Sequence, residues 1–311
     1  MLKIAILGAT SYIAKDLILS FSEKHEYDLS LFSRKSQVVS KWLECKNIFR
    51  QYLVKSYEEF NLCLEFDVII NFVGAGDPAR VAKIGSSILD VTYQYDDMVV
   101  NYLKVHPECK YVFLSSGAVY NSNFNEPVNE NSKSIIPING IKPKDWYGIS
   151  KLYAECRHRA LESFCIIDVR VFSYFSHNID ILASFFMADI VRAILNKNIL
   201  CVSPDDMVRD YIGPDDFFQL IEKIIIAKPS NEGVDCYTGN PVSKVDMLVG
   251  IQDKFGLNYE FNDSVDAVSP TGLKSIYCSN NKNAHKRYGY EPTMDSLGTV
   301  LYELDKVARI K

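Results

Sequence analysis

Short apolar runs alternate with stretches of helical spacing from residue 2 to residue 172, and nothing else in the chain constrains its fold as much. Leu2–Leu7, Tyr27–Phe32, Asp67–Val73, Lys110–Leu114 and Cys165–Phe172 have the length and composition of strands buried on both faces. Between them, Ser11–Glu23 puts Tyr12, Ile13, Leu17, Ile18 and Phe21 on one helical face. Asp96–His106 reads as a second helix. Asp145–Phe164 reads as a third, with Ile149, Leu152, Tyr153, Cys156, Ala160 and Leu161 in register. Asp77 can cap a helix that has Pro78 at its first position. Such alternation predicts an α/β fold with a doubly wound, mostly parallel sheet. Asn121–Lys144, rich in Asn, Ser, Pro and Lys, reads as a surface loop. After Phe172 the rhythm changes to a helix over Ile179–Asn196, the run Val208–Asp216 and shorter elements.

The first strand runs into a turn of small residues, Gly8-Ala-Thr10-Ser11-Tyr12-Ile13-Ala14. Small residues let the backbone approach a pyrophosphate, and the following helix presents free N–H groups and a partial positive charge to it. The second strand ends at Ser33-Arg34-Lys35, with no acid to hold an adenosine ribose and two cations that suit a 2′-phosphate. This predicts NADP(H), with NAD(H) as the alternative. Gly74, after the third strand, completes the expected cofactor contacts. A Rossmann-like dinucleotide-binding domain is therefore expected over residues 1–172. Residues 173–311 form mainly a smaller, interleaved substrate lobe, and part of 210–240 returns to the first domain.

Tyr147 and Lys151 stand one helical turn apart, so their side chains share a face. The spacing recurs at Tyr302 and Lys306 and means little alone. The first copy follows a strand ending in Ser115-Ser116 and the cofactor turn. Together these groups suit carbonyl reduction. Tyr147 is the general acid, and a Lys151 ammonium favours its phenolate and lowers its pKa. A strand-end serine holds the reacting oxygen. Ser116 is the first candidate for that place and Ser115 the second.

These segments resemble the extended short-chain dehydrogenase/reductases of the sugar-nucleotide epimerase/dehydratase/reductase group over nearly the whole chain. Leu114-Ser-Ser-Gly-Ala-Val-Tyr120 is similar to the family's Ser-Ser-x2-Val-Tyr-Gly segment, whose second serine is catalytic. Gly8-x2-Ser11-x2-Ala14 resembles its Gly-x2-Gly-x2-Gly turn, and Arg170–Ser176 its Arg-x-Phe-Asn-x-Tyr-Gly run. Arg209-Asp-Tyr-Ile-Gly-Pro-Asp-Asp216 is similar to the run whose arginine holds the substrate diphosphate, and Tyr288–Pro292 to a C-terminal turn. The resemblance implies a nucleotide-sugar substrate near Ser116, Gly117, Ala118, Tyr147, His177 and Arg209. It also implies Lys151 as a nicotinamide-ribose ligand. A homodimer formed through the helices near Asp96–His106 and Asp145–Phe164 is implied as well.

Dehydratases of the group place Asp-Glu directly after the catalytic serine or threonine, where this chain has Gly117-Ala118. Epimerase-reductases use a cysteine at the place of Ala118, although His177 falls near their histidine. The reading is NADPH-dependent reduction of a 4-keto, 6-deoxy nucleotide sugar for polysaccharide precursors. A nucleotide-sugar epimerase with retained NAD is the alternative, and a non-catalytic dinucleotide-binding sensor or scaffold the second alternative.

Composition narrows the partners. A net charge of -5 without a basic block gives no nucleic-acid footprint. Eight cysteines, scattered without a Cys-x2-Cys pair, read as reduced thiols rather than a metal site. The first apolar run breaks at Gly8, so it reads as a strand rather than a leader. No apolar stretch reaches the roughly 18 residues of a membrane span. A cytoplasmic protein without metal is expected.

Overall fold

The computed structural model describes residues 1–48, 52–74, 78–121, 124–264 and 274–309. It opens with β1 (Leu2–Leu7), α1 (Tyr12–Ser22), β2 (Tyr27–Phe32), α2 (Ser36–Cys45) and the short β3 (Leu53–Lys55). The alternation continues with β4 (Val68–Asn71), α3 (Pro78–Ile84), α4 (Ser87–Val105), β5 (Lys110–Ser116), α5 (Pro143–Arg159) and β6 (Ile166–Val171). Next come β7 (Ser173–Tyr174), α6 (Phe186–Asn196), β8 (Leu200–Val202), β9 (Val208–Arg209), β10 (Tyr211–Ile212) and α7 (Pro214–Ile226). The last elements are β11 (Asn231–Cys236), β12 (Val242–Ser243), α8 (Lys244–Phe255), β13 (Tyr259–Phe261), β14 (Ile276–Tyr277), α9 (Asn283–Tyr288) and α10 (Ser296–Arg309).

Seven strands form the main sheet in the order β11-β6-β5-β4-β1-β2-β3, all parallel to their neighbours. This is the doubly wound α/β arrangement that the alternation predicts. Chain order reverses between β1 and β4, and ligands of such sheets bind outside the carboxyl ends of the strands at that crevice. The register puts Leu7 beside both Phe32 and Asn71, and Ser116 beside Val171. The turn after β1 and the end of β5 therefore open on one edge.

The two faces of the sheet carry separate apolar layers. One includes Ile4, Ile6, Leu17, Phe21, Leu220 and Ile224, where α1 packs on α7. The other includes Leu7, Phe32, Val99, Leu103 and Phe113 under α4 and α5. A third cluster, with Phe175, Met187, Val191, Leu248 and Val300, is built by α6, α8 and α10. Buried Lys110 on β5 donates to the carbonyls of Ile224, Ile225 and Ala227 at 2.6, 2.9 and 2.8 Å. These carbonyls close α7, and an unpaired helix end would be costly in a buried setting.

Three helices differ from their sequence expectation. α4 starts at Ser87, about two turns before Asp96, because Ile88 and Thr92 are buried as well. α5 ends at Arg159, and reverse turns carry the chain from His158 to Phe164. α6 begins only at Phe186; residues 179–185 form turns held by Arg192, which donates to the carbonyls of Ile181 and Ala183. Pro78 opens α3, while the expected cap Asp77 lies outside the described residues.

Candidate active site

The turn at Gly8 is shaped by a conformation that other residues resist. Gly8 has φ +83°, and a Cβ there would stand 2.8 Å from the carbonyl carbon of Phe72. β1 and β4 can approach this closely only with hydrogen at that position. Ser11 is the N-cap of α1, but its side chain does not cap the helix, so the first N–H groups stay open towards the crevice. Thr10, Ser11, Tyr12, Ile13, Lys15, Gly74, Arg80, Ser115, Tyr147 and Lys151 line a cavity of about 420 Å³ there. At the end of β2, Ser33 Oγ is buried without a hydrogen-bond partner among the described residues. A tight glycine turn, an open helix N-terminus and an orphaned hydroxyl beside the turn fit a dinucleotide. Arg34 and Lys35 are exposed beside Ser33 and do not line the cavity. Gly8→Ala is expected to destabilise the protein by about 2 kcal/mol and to abolish dinucleotide binding. Thermal melting and ligand titration would check this; an unchanged melting point would remove the argument from close approach.

Ser116 ends β5, and the short 3-10 turn that follows brings the Ala118 N–H to 3.2 Å from Ser116 Oγ. Gly117 is needed because Phe172 lies against it; a Cβ would meet the ring at 2.4 Å. α5 carries Tyr147 and Lys151 over this strand end. Tyr147 and Lys151 both line the cavity at this strand end. Lys151 is only 4% exposed, and its Nζ donates to the Leu114 carbonyl at 2.7 Å and lies 4.4 Å from the Phe113 ring centre. Gly74 faces it: a Cβ on Gly74 would lie 3.7 Å from Nζ. The structure thus brings together Gly8, Thr10, Ser11, Tyr12, Ile13, Gly74, Ser116, Tyr147 and Lys151.

Two expectations are corrected. Burial pushes the Tyr147 phenol up, and the Ser116 hydrogen bond only partly offsets this. The downward shift expected from Lys151 is missing because its ammonium is turned to the Leu114 carbonyl. His177 is spent on the protein. Its Nδ1 lies 2.7 Å from Glu303 and its Nε2 3.2 Å from Asn178, so neither ring nitrogen is left for a substrate. The runner-up Ser115 is likewise occupied, donating to Glu155 at 2.6 Å. The second Tyr-x3-Lys pair is a surface feature: Lys306 pairs with Glu303 and lies over the Tyr302 ring.

Arg209 forms no ion pair with Asp210. Asp210 accepts from Thr238 and Ser296, whereas Arg209 donates to the Val208 carbonyl at 2.8 Å and lies 5.9 Å from the Tyr277 ring centre. No carboxylate among the described residues pairs with it. Lys274 lies 4.2 Å from the centre of the same ring, and burial, with Arg209 adding to it, pulls its pKa down to about 7. The Tyr277 hydroxyl stands 3.1 Å from Ser116 Oγ. Neither Tyr277 nor Lys274 belongs to a spacing motif, and the sequence alone does not single them out.

Below the site lies a buried ionic network. Arg170 forks onto Glu155, and Asp235 accepts from Tyr120 and Ser279. His158 lies between Asp168 and Asp96 at 2.6 and 2.7 Å. Burial disfavours its charge, yet the two carboxylates outweigh this and push its pKa up to about 9.

Solved structures similar to this one share its fold at low identity. The UDP-glucose-4-epimerase of Stenotrophomonas maltophila, with bound NAD and formylated UDP-arabinopyranose, matches with a TM-score of 0.82 at 16% identity, over 100% of this chain and 98% of the other. UDP-glucuronic acid 4-epimerase from Bacillus cereus, in complex with UDP-glucuronic acid and NAD, matches with 0.80 at 15%, over 100% of both chains. dTDP-glucose 4,6-dehydratase from Bacillus anthracis, in complex with NAD, matches with 0.80 at 16%, over 99% and 97%. A search of curated protein sequences finds no match. A model of one family covers residues 4–235, from β1 through the sheet-closing β11, and so includes the glycine turn, Ser116, Tyr147 and Lys151. The chain belongs to the NAD dependent epimerase/dehydratase family.

Proposed function

We propose that the protein is a nicotinamide-dinucleotide-dependent oxidoreductase that epimerises a ring carbon of a nucleotide sugar. The observation that carries this reading is that Tyr147 and Lys151 line the cavity at the Gly8 turn, with Ser116 next to the lining residue Ser115 at the end of β5. When bound, the dinucleotide supplies the hydride acceptor and donor. Tyr147 takes the proton from the sugar oxygen and returns it, and Ser116 donates a hydrogen bond to that oxygen in its carbonyl state. Lys151 keeps a positive charge near both. Arg209, free of any described carboxylate, suits the substrate diphosphate. Of the two reactions in the family's name, dehydration lacks its acid/base pair, since Gly117-Ala118 follow Ser116. Solved neighbours described with UDP-sugars and NAD support epimerisation.

A second reading, net reduction of a 4-keto nucleotide sugar by NADPH, is favoured by Ser33-Arg34-Lys35. Under it, Arg34→Ala weakens NADPH binding about tenfold and leaves NADH unchanged. In either reading two copies pair through α4 and α5, whose outer face carries Tyr93 and Tyr153, 45% and 51% exposed.

The test begins with the dinucleotide released from the purified protein. It then follows interconversion of UDP-glucose and UDP-glucuronic acid with their C4 epimers without added cofactor. Turnover with retained NAD supports the epimerase. Activity only on 4-keto sugars with added NADPH moves the second reading forward. Failure to bind any dinucleotide overturns both.

A further inference from the structure

The β1–β4 ladder runs up to Phe72, whose N–H donates to the Leu7 carbonyl at 2.8 Å. Val73 and Gly74 follow it, and both line the cavity. A side chain takes over from the ladder there: the Val73 N–H donates to Asn71 Oδ1 at 2.9 Å. Asn71 is 1% exposed, and its Nδ2 donates to the Tyr111 hydroxyl at 2.9 Å. An amide can be turned over without changing its outline, so its orientation needs a chemical reason. The reason lies one partner further on. The Tyr111 hydroxyl stands 3.1 Å from Asp96 Oδ1, which also faces His158 Nε2 at 2.7 Å, while Arg157 holds the other Asp96 oxygen at 2.7 Å. A carboxylate paired with a guanidinium accepts only. The single Tyr111 proton therefore goes to Asp96, and the Tyr111 oxygen can only accept from Asn71. Asn71 must show Tyr111 its NH₂, which leaves its oxygen for Val73. Turning the amide over would break the Val73 bond and set two oxygens competing for one Tyr111 proton.

We propose that Tyr111 is a positioning residue that holds, through the Asn71 amide, the Val73–Gly74 backbone as the cavity wall on which the dinucleotide rests. The acceptor at the far end is braced from three elements. Asp96 comes from α4, Arg157 and His158 from α5, and Asp168 on β6 meets His158 at 2.6 Å and Arg159 at 2.7 Å. The wall itself faces the reacting groups, since a Cβ on Gly74 would lie 3.7 Å from Lys151 Nζ. Backbone that lies past the last ladder bond binds a ligand better when it is held in place beforehand.

The inference rests on the reading of the cavity as a dinucleotide site for its binding arm alone. Tyr111→Phe removes one hydroxyl and keeps the ring, which packs against Phe113 and His158. Hydrogen exchange of the unliganded protein reads the wall without any cofactor. Protection of the Val73 amide is expected to fall about tenfold relative to that of Ile69, in the middle of β4. A general loss of stability would lower both alike. The Kd for NAD or NADPH, whichever the wild type binds, should rise about fivefold. In an Asn71→Ala background, Tyr111→Phe should change neither quantity further. An equal fall at Val73 and Ile69, an unchanged ratio, an unchanged Kd or a further loss in the double variant each overturn the proposal. Should Asn71→Ala fail to fold, the Val73-to-Ile69 ratio in Tyr111→Phe decides. If the wild type binds neither dinucleotide, the proposed function fails, while the same ratio still decides whether Tyr111 holds the wall.

Discussion

Tyr147→Phe is expected to lower the turnover of a nucleotide sugar roughly 10²–10⁴-fold while dinucleotide binding and the melting temperature stay as they are. Phenylalanine keeps the ring and takes away the one group on α5 that can exchange a proton with a sugar oxygen at the cavity edge. The phenol is half-buried and its pKa is raised by that burial, so in the unliganded protein it is a neutral donor across the neutral range. It is thus ready to give a proton to a forming alkoxide. To take one from a sugar hydroxyl, its pKa must come down; Ser116 pulls it that way, and Lys151 would add to this only by turning its ammonium from the Leu114 carbonyl. The variant should therefore lose activity by the same factor in both directions, because each epimerisation contains one oxidation and one reduction. Steady-state rates in each direction, with a titration of bound dinucleotide, check this. A Phe variant retaining a tenth or more of the rate would take the proton-exchange role from Tyr147.

Much of this arrangement can be read from residue types. β1 and β2 run over Leu2–Leu7 and Tyr27–Phe32 as expected: Ile4–Leu7 are apolar and buried at every position, while β2 buries Tyr27, Leu29 and Leu31 and leaves Asp28 exposed. Gly8 and the Tyr147–Lys151 pair are legible for local reasons: a positive φ needs glycine, and four residues make one helical turn. Periodicity fails where burial and polarity part company. α6 starts seven residues after Ile179 because the apolar run there packs as turns around Arg192 rather than as a helix. Long-range partners have no local trace. His177 carries the chemistry of a catalytic group, yet Glu303, 126 positions away, holds it. Tyr277 reaches Ser116 across 161 positions, from a two-residue strand with no pattern of its own. The direction of the Tyr147 shift depends on where the Lys151 ammonium points, which spacing does not specify.

Lys151→Met should lower activity by at least about 10²-fold and at the same time change how stability responds to pH. Burial pulls the Lys151 pKa from its ordinary 10.5 down to about 8, against the opposing pull of Asp96, Asp168 and Glu155. Below pH 8 the ammonium is charged in both folded and unfolded chains, and the folded protein bears the full cost of burying it. Between pH 8 and 10.5 the unfolded chain holds the proton and the folded chain does not, so folding stability rises with pH through that window. Above 10.5 the difference is gone. The shift of about 2.5 units corresponds to roughly 3 kcal/mol. Tyrosines with raised pKa also titrate near the upper end, so the quantity to measure is the unfolding free energy of the wild type minus that of Lys151→Met, by urea titration from pH 7 to 11. That difference should climb by about 3 kcal/mol with rising pH. The methionine leaves the Leu114 carbonyl without its donor, which offsets the value at every pH equally and leaves the slope intact. A slope of zero would mean that the three carboxylates cancel the cost of burial. Lys151 would then be a stably charged residue, its cation maintained at no expense to the fold, and the strain between stability and function inferred at this position would not exist.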